Sequence, residues 1–211
     1  MPAIQRHPGD VLLVIDVQND FCPGGHLAVP GGDEVVPVIN GLIEQFHHVV
    51  LTQDWHPAGH SSFASSHPGA EPFSETTMAY GPQTLWPDHC IQGTDGAAFH
   101  RALGWSKAEM VIRKGFRPEI DSYSAFFEND KRTPTGLTGY LRERGFTRVF
   151  ACGLAFDFCV RFSAEDARAQ GFECLVVENA CRAIDMAGSA AATRDAFAQN
   201  HIGLITASDI R

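Results

Sequence analysis

The chain has 211 residues, enough for one domain with a substantial core, and its 44% hydrophobic and 19% charged content excludes a disordered polymer. A formal net charge of -9 disfavours nucleic acid or an anionic membrane surface as partner, and no apolar run is long enough to cross a bilayer. Met1 to Asp10 is polar without a signal-peptide core, and the six cysteines form no Cys-x-x-Cys pair, so free thiols in a reducing cytoplasm are expected.

In chain order, Val11 to Val14 is a short branched apolar run that reads as a buried strand. Asp33 to Phe46 has helical spacing of Val35, Val38, Ile39 and Leu42, with Asp33 as expected N-cap and Pro37 near the first turn, where it is tolerated. His48 to Thr52 is a second strand. Residues 54 to 100 are rich in Pro, Gly, Ser, His and aromatics with little periodicity, and a long irregular stretch inside a compact domain is usually functional. Met110 to Arg113 is a third strand, Thr135 to Arg144 a helix stopped by Gly145, and Arg148 to Cys152 a fourth strand. Phe158 to Gln170 reads as a helix ended by Gly171, Cys174 to Val177 as a strand, Ser189 to Gln199 as a helix and Ile202 to Thr206 as a sixth strand. Short buried strands alternating with helices predict right-handed crossovers and a mainly parallel sheet covered on both faces, in a single domain over 1–211.

The reactive residues gather at predicted strand ends: Asp16 after the first strand, Asp54 and His56 after the second, Lys114 after the third, Cys159 after the fourth. Ligands of open α/β sheets bind at the carboxyl ends of the strands. Asp54-Trp55-His56 followed by Trp86-Pro87-Asp88-His89 offers a carboxylate and two imidazoles, a three-ligand metal site with coordination positions left open. These donors suit zinc, iron or manganese, with zinc the leading expectation. His60 is a candidate fourth ligand, with Ser61, Ser62 or water as alternatives.

A lone cysteine is most often a small buried hydrophobe. Cys159, however, lies at a strand-to-helix turn, where helix N–H groups and dipole favour thiolate and the Gly153-Leu154-Ala155 turn could present amides to an oxyanion. Cys90, beside His89, is the second candidate thiol. Asp16 is a turn former or, partly buried with a raised pKa, a general base for the thiol. Lys114 is a solvated strand end or the ammonium that offsets the charge of Asp16 and thiolate, with Arg113 then on the opposite side of the strand. Phe21, Trp86 and Tyr123 are ordinary core residues or walls for a flat aromatic substrate.

Five motifs occur in one order: Asp16-Val17-Gln18-Asn19-Asp20-Phe21, Thr52-Gln53-Asp54-Trp55-His56-Pro57, Trp86-Pro87-Asp88-His89-Cys90, Arg113-Lys114-Gly115 and Asp157-Phe158-Cys159-Val160. On these the chain, from about Val11 to Ser208, resembles the nicotinamidases of the isochorismatase-like cysteine hydrolase superfamily. The resemblance implies a doubly wound α/β/α sandwich around a six-stranded parallel sheet. It implies a catalytic set of Asp16, Lys114 and Cys159, metal ligands Asp54, His56 and His89, and oxyanion amides of Ala155 and Cys159, with a cis bond between Leu154 and Ala155. It further implies substrate stacking by Phe21, Trp86 and Tyr123. The implied reaction is hydrolysis of nicotinamide to nicotinate and ammonia through a cysteine thioester, in NAD salvage, with the metal holding the pyridine nitrogen and pyrazinamide also accepted. A ureido or carbamoyl amide is the alternative substrate, and a metal-dependent binding protein with a degenerate site the alternative class. A homo-oligomer is admissible. Two residues depart from the family pattern. Phe156 replaces a threonine and with it a hydroxyl donor, a change expected to bear on the loop or pocket. His26 stands where a small residue is usual.

Overall fold

The computed structural model describes residues 3–211. Its centre is a sheet of six strands: β1 (Asp10–Ile15), β2 (Val49–Asp54), β5 (Met110–Lys114), β6 (Arg148–Leu154), β7 (Glu173–Arg182) and β8 (Gly203–Ile205). A separate hairpin, β3 (Glu75–Met78) and β4 (Gly81–Thr84), lies in the crossover between β2 and β5. The order across the sheet is β5-β2-β1-β6-β7-β8, and every neighbouring pair is parallel. The helices α1 (Val35–Gln45), α2 (Leu137–Glu143), α3 (Arg161–Ala169) and α4 (Ser189–Gln199) form the crossovers. α1 lies against β1, β6 and β7, α3 against β6 and β7, and α4 against β8. This is the six-stranded parallel sheet flanked by helices that the sequence predicts.

Strand burial follows from position. Every residue of β1, β2 and β6 is buried, as their runs of Val, Leu, Ile and Phe require of strands covered on both faces. β5 is one of the two edge strands; its Val111 and Arg113 are exposed while Lys114 is buried. Successive side chains on a strand point to opposite faces, which turns Arg113 outward over the Trp55 ring and sends Lys114 inward.

Four boundaries differ from expectation. Asp33 does not cap α1: a 3₁₀ turn, Gly32–Glu34, runs straight into the helix, so the cap position falls on Glu34 and no side chain fills it. Thr135 lies before α2, where its hydroxyl accepts the Leu137 N–H. β7 continues past Val177 to Arg182 because an irregularity opposite Ala151 and Gly153 lets Cys181 and Arg182 rejoin β6. The segment read as irregular contains the β3–β4 hairpin, whose polar strands carry no hydrophobic alternation to read.

The switch in strand order falls at β1, with β2 on one side and β6 on the other, and opens a crevice at the strands' carboxyl ends. The opposite end is tied by a buried pair: Arg148 Nε and Nη2 donate to the two carboxylate oxygens of Asp10, each at 2.8 Å, across directly paired residues of β1 and β6. Removing one partner of a buried ion pair strands the other charge, at a cost of about 3 kcal/mol. Asp10→Ala is therefore expected to lower unfolding free energy by about that amount in urea denaturation; an unchanged midpoint would show that Glu173, 3.8 Å from the guanidinium, compensates.

Candidate active site

Four strand ends deliver charged or reactive groups to the crevice. Asp16 follows β1 in a left-handed conformation, φ 49°. Its carboxylate is buried, with Oδ1 accepting the Thr52 hydroxyl at 2.6 Å and Oδ2 2.7 Å from Lys114 Nζ. Lys114, at the end of β5, is fully buried. Its ammonium also lies 2.5 Å from Asp54 Oδ1, 2.9 Å from the Ser122 carbonyl and 3.4 Å from Cys159 Sγ. Sequence positions spread over more than a hundred residues thus meet around one nitrogen.

The protonation states follow from burial and charge. Burial pushes the Asp16 pKa up to about 6, against the pull of Lys114. Burial alone would deprotonate Lys114, but Asp16, Asp54 and the Cys159 sulfur outweigh it and hold the ammonium well above the ordinary lysine range. The Cys159 thiol is raised well above its usual range, first by burial, then by Asp16 and Asp54, with Lys114 opposing. Burial and the two carboxylates thus oppose the helix-end effect that favours thiolate. A five-residue π-helical turn, Phe156–Val160, separates β6 from α3 and places the sulfur beside two carboxylates. The peptide between Leu154 and Ala155 is cis. Among the described residues, no acceptor takes the N–H of Ala155, while those of Phe158 and Val160 donate to the Ala155 carbonyl.

Beside this group stand Asp54, His56 and His89, all buried. The Nε2 atoms of His56 and His89 lie 3.8 and 4.0 Å from Asp54 Oδ2. His56 Nδ1 donates to the Gly115 carbonyl and His89 Nδ1 to the Pro87 carbonyl, each at 2.8 Å, leaving both Nε2 lone pairs free. Burial pushes both imidazoles down to about 4, the neutral ligand form. Gly115 is required here: φ is +67° and a Cβ would sit 2.4 Å from His56 Cε1. The site holds one ammonium, paired with Asp16 and Asp54, and a third buried carboxylate, Asp121, beside His56, an excess of acidic groups that a cation would balance. The donor set therefore fits a metal ion.

Asp121 is a member that sequence reasoning missed. Its Oδ1 is 4.0 Å from His56 Nε2, and Gln83 Nε2 donates to its Oδ2 at 2.7 Å. Burial would raise its pKa, but the facing histidines and the Ser122 N–H lower it on balance. An acid two residues before Tyr123 in a loop was the only signal available. His60 is placed differently from its candidacy as a ligand. Its Nδ1 accepts the Ser62 N–H at 3.1 Å, so Nε2 carries the proton and donates to the Arg117 carbonyl at 2.8 Å. No lone pair remains for a cation, and the ring packs on His56 at 4.5 Å.

A narrow cavity opens onto Cys159. Phe21, Trp86 and Tyr123 line it as expected, together with Asp54, His89, Asp121 and Ala155. Leu27, Phe158 and Ile184 complete the walls; nothing in their local patterns marked them. Trp86 Nε1 donates to the Tyr123 hydroxyl at 3.1 Å, and Phe158 meets the Trp86 ring edge-on at 5.0 Å. Such a narrow, ring-lined space suits a flat aromatic molecule. Phe156 does not reach the cavity. It turns the other way and packs edge-on against Phe197 of α4 at 5.6 Å. Asp157 accepts the N–H groups of Ile184 and Asp185 and the Ser189 hydroxyl, tying the turn to the segment after β7. Cys90 is buried outside the cavity lining, which removes it as an alternative nucleophile.

Fold and site together define a class: the isochorismatase domain matches residues 10–209, and the chain belongs to that family. Within it, the chain is 54% identical to a nicotinamidase of Acinetobacter baylyi over 84% of this chain and 83% of that protein. A solved nicotinamidase/pyrazinamidase structure from Acinetobacter baumanii superposes with a TM-score of 0.96 at 51% identity, covering 97% of this chain and 99% of the other. A Pyrococcus horikoshii pyrazinamidase solved in complex with zinc gives a TM-score of 0.77 at 33% identity, covering 94% of this chain and 99% of the other.

Zinc titration separates ligands from supporting residues. Asp54→Ala and His89→Ala are expected to abolish tight zinc binding, whereas His60→Ala weakens it by no more than about 10-fold, the lower end for a residue that acts through a ligand. Loss of binding in His60→Ala equal to that in His89→Ala would make His60 a ligand.

Proposed function

We propose that this chain hydrolyses nicotinamide to nicotinate and ammonia, with pyrazinamide as a second substrate, in pyridine-nucleotide salvage. The observation that carries the reading is the Lys114 ammonium touching Asp16, Asp54 and Cys159 at the floor of an aromatic cavity. The named relatives support the choice of substrate.

The flat ring enters between Phe21, Trp86 and Tyr123, which exclude water from its faces. Asp54, His56 and His89 would hold a metal ion, zinc being our choice, which supplies a Lewis acid able to bind the ring nitrogen. Cys159 faces the carboxamide carbon. At neutral pH Asp16 is ionised and the thiol is protonated, so the Asp16 carboxylate takes the thiol proton as sulfur bonds to carbon. The Ala155 and Cys159 amides receive the developing oxyanion; each such donor is typically worth about 3 kcal/mol. Asp16 returns the proton to the departing ammonia, then takes one from the water that attacks the thioester and passes it to the Cys159 sulfur as the carbon–sulfur bond breaks. Lys114 stays protonated throughout, keeps both carboxylates in place and stabilises the sulfur as charge grows on it.

Cys159→Ala is expected to reduce nicotinamide-dependent ammonia release to background while zinc content stays at the wild-type level. Turnover retained in that variant would defeat the assignment. Because the base must be ionised and its pKa lies at about 6, kcat/KM is expected to fall as pH drops through that value, and Asp16→Asn to remove activity at every pH. A rate independent of pH between 5 and 7 would exclude Asp16 as the base.

A further inference from the structure

Asp16 belongs to a short segment whose next alternate residues, Gln18 and Asp20, are also buried yet touch neither the cavity nor each other. Both hydrogen-bond the backbone of a segment that carries a candidate ligand, Gln18 that of Asp54 and Asp20 that of His89. Gln18 Oε1 accepts the Asp54 N–H at 2.8 Å, and its Nε2 donates to the Asp54 carbonyl at 2.9 Å and to the Ala97 carbonyl at 2.9 Å. The side-chain amide thereby closes on Asp54 as a neighbouring strand would, just where β2 ends. Asp20 Oδ2 accepts the N–H of Cys90 at 2.7 Å, the residue after His89, which is held at φ 47°. Asp20 Oδ1 accepts the His26 N–H and faces His26 Nδ1 at 2.8 Å, fastening the loop that carries Phe21 and Leu27. The fit is tight: a Cβ at Gly96 would sit 2.2 Å from Asp20 Oδ2.

We infer that Gln18 and Asp20 are positioning residues that lock the Asp54 and His89 segments to the chain carrying the Asp16 base, so that one five-residue stretch sets both metal affinity and the place of the metal relative to Cys159. The inference rests on the reading of Asp54, His56 and His89 as metal ligands. Neither residue supplies a ligand atom. Loosening either frees the backbone of a ligand residue while leaving all three donors present. Residues that orient ligands in this way typically change metal affinity 10- to 100-fold when replaced.

The test uses the full chain with zinc alone as probe, measured by competition with a chelating dye, and compares Gln18→Met, Asp20→Asn and a core control, Leu141→Ala in α2. Gln18→Met keeps the length of the side chain and loses its three hydrogen bonds; Asp20→Asn keeps its volume but sets an amide donor against donors. Both are expected to raise the zinc dissociation constant by about 10- to 100-fold and to regain ammonia release only in part in excess zinc, because the metal's place relative to Cys159 shifts as well. Leu141→Ala is expected to lower the melting temperature with zinc affinity within twofold of wild type. If Gln18→Met does not fold, Asp20→Asn decides alone. Unchanged zinc affinity in the folded variants, or equal weakening in the core control, overturns the inference while wild-type binding leaves the metal reading standing. A wild-type chain that binds no zinc overturns the metal reading itself, before any variant is compared.

Discussion

A fully buried ammonium holds this site together. Lys114 has no water to solvate it, so it must be surrounded by acceptors, and it is: two carboxylates, one carbonyl and one sulfur. The attraction works in both directions. Asp16 and Asp54 are themselves buried, and without Lys114 two like charges would share one low-dielectric pocket. The same ammonium that keeps Asp16 ionised near neutral pH is the positive charge nearest the sulfur. Position, protonation state and reactivity are therefore consequences of one contact group.

The sheet makes that group possible. β1 sits where strand order reverses, so the ends of β2 and β6 diverge on either side of it and leave a crevice. Into it come Asp16 from β1, Asp54 from β2, Lys114 from the edge strand β5 and Cys159 from the turn after β6. Every residue of β1, β2 and β6 is buried, which fixes their registers and hence the relative positions of the side chains at their ends. The pleat turns Lys114 inward while its neighbour Arg113 points outward to Trp55, and Asp16, Asp54 and the Ser122 segment close over it.

Around this centre, supporting groups act through backbone more than through side chains. Gly115 gives up a side chain so that its carbonyl can hold His56. His60 spends both ring nitrogens on neighbouring backbone and packs behind His56. Thr52 donates to Asp16, and Asp157 ties the turn that carries Cys159 to the segment after β7. The sequence oddity at Phe156 fits this arrangement, because its ring belongs to the contact with α4 and leaves the cavity wall untouched.

Local sequence determined much of this. Hydrophobic runs with branched residues specify buried strands wherever they occur, so the βα alternation and the strand-end placement of Asp16, Asp54, Lys114 and Cys159 were legible from spacing. Acid, imidazole and thiol chemistry is carried by residue type, so candidate metal donors and a candidate nucleophile could be named. What spacing could not convey depends on partners distant in the chain. Asp121, Leu27, Phe158 and Ile184 join the cavity only because separate loops fold onto one crevice. The β3–β4 hairpin and the far half of β7 pair without a hydrophobic pattern of their own. His60 looked like a ligand because type and position are local, but its lone pair is taken by a bond that only the folded backbone makes. The protonation of Cys159 was likewise decided by tertiary structure: the helix end favours thiolate, but desolvation and two carboxylates brought from other strands outweigh it.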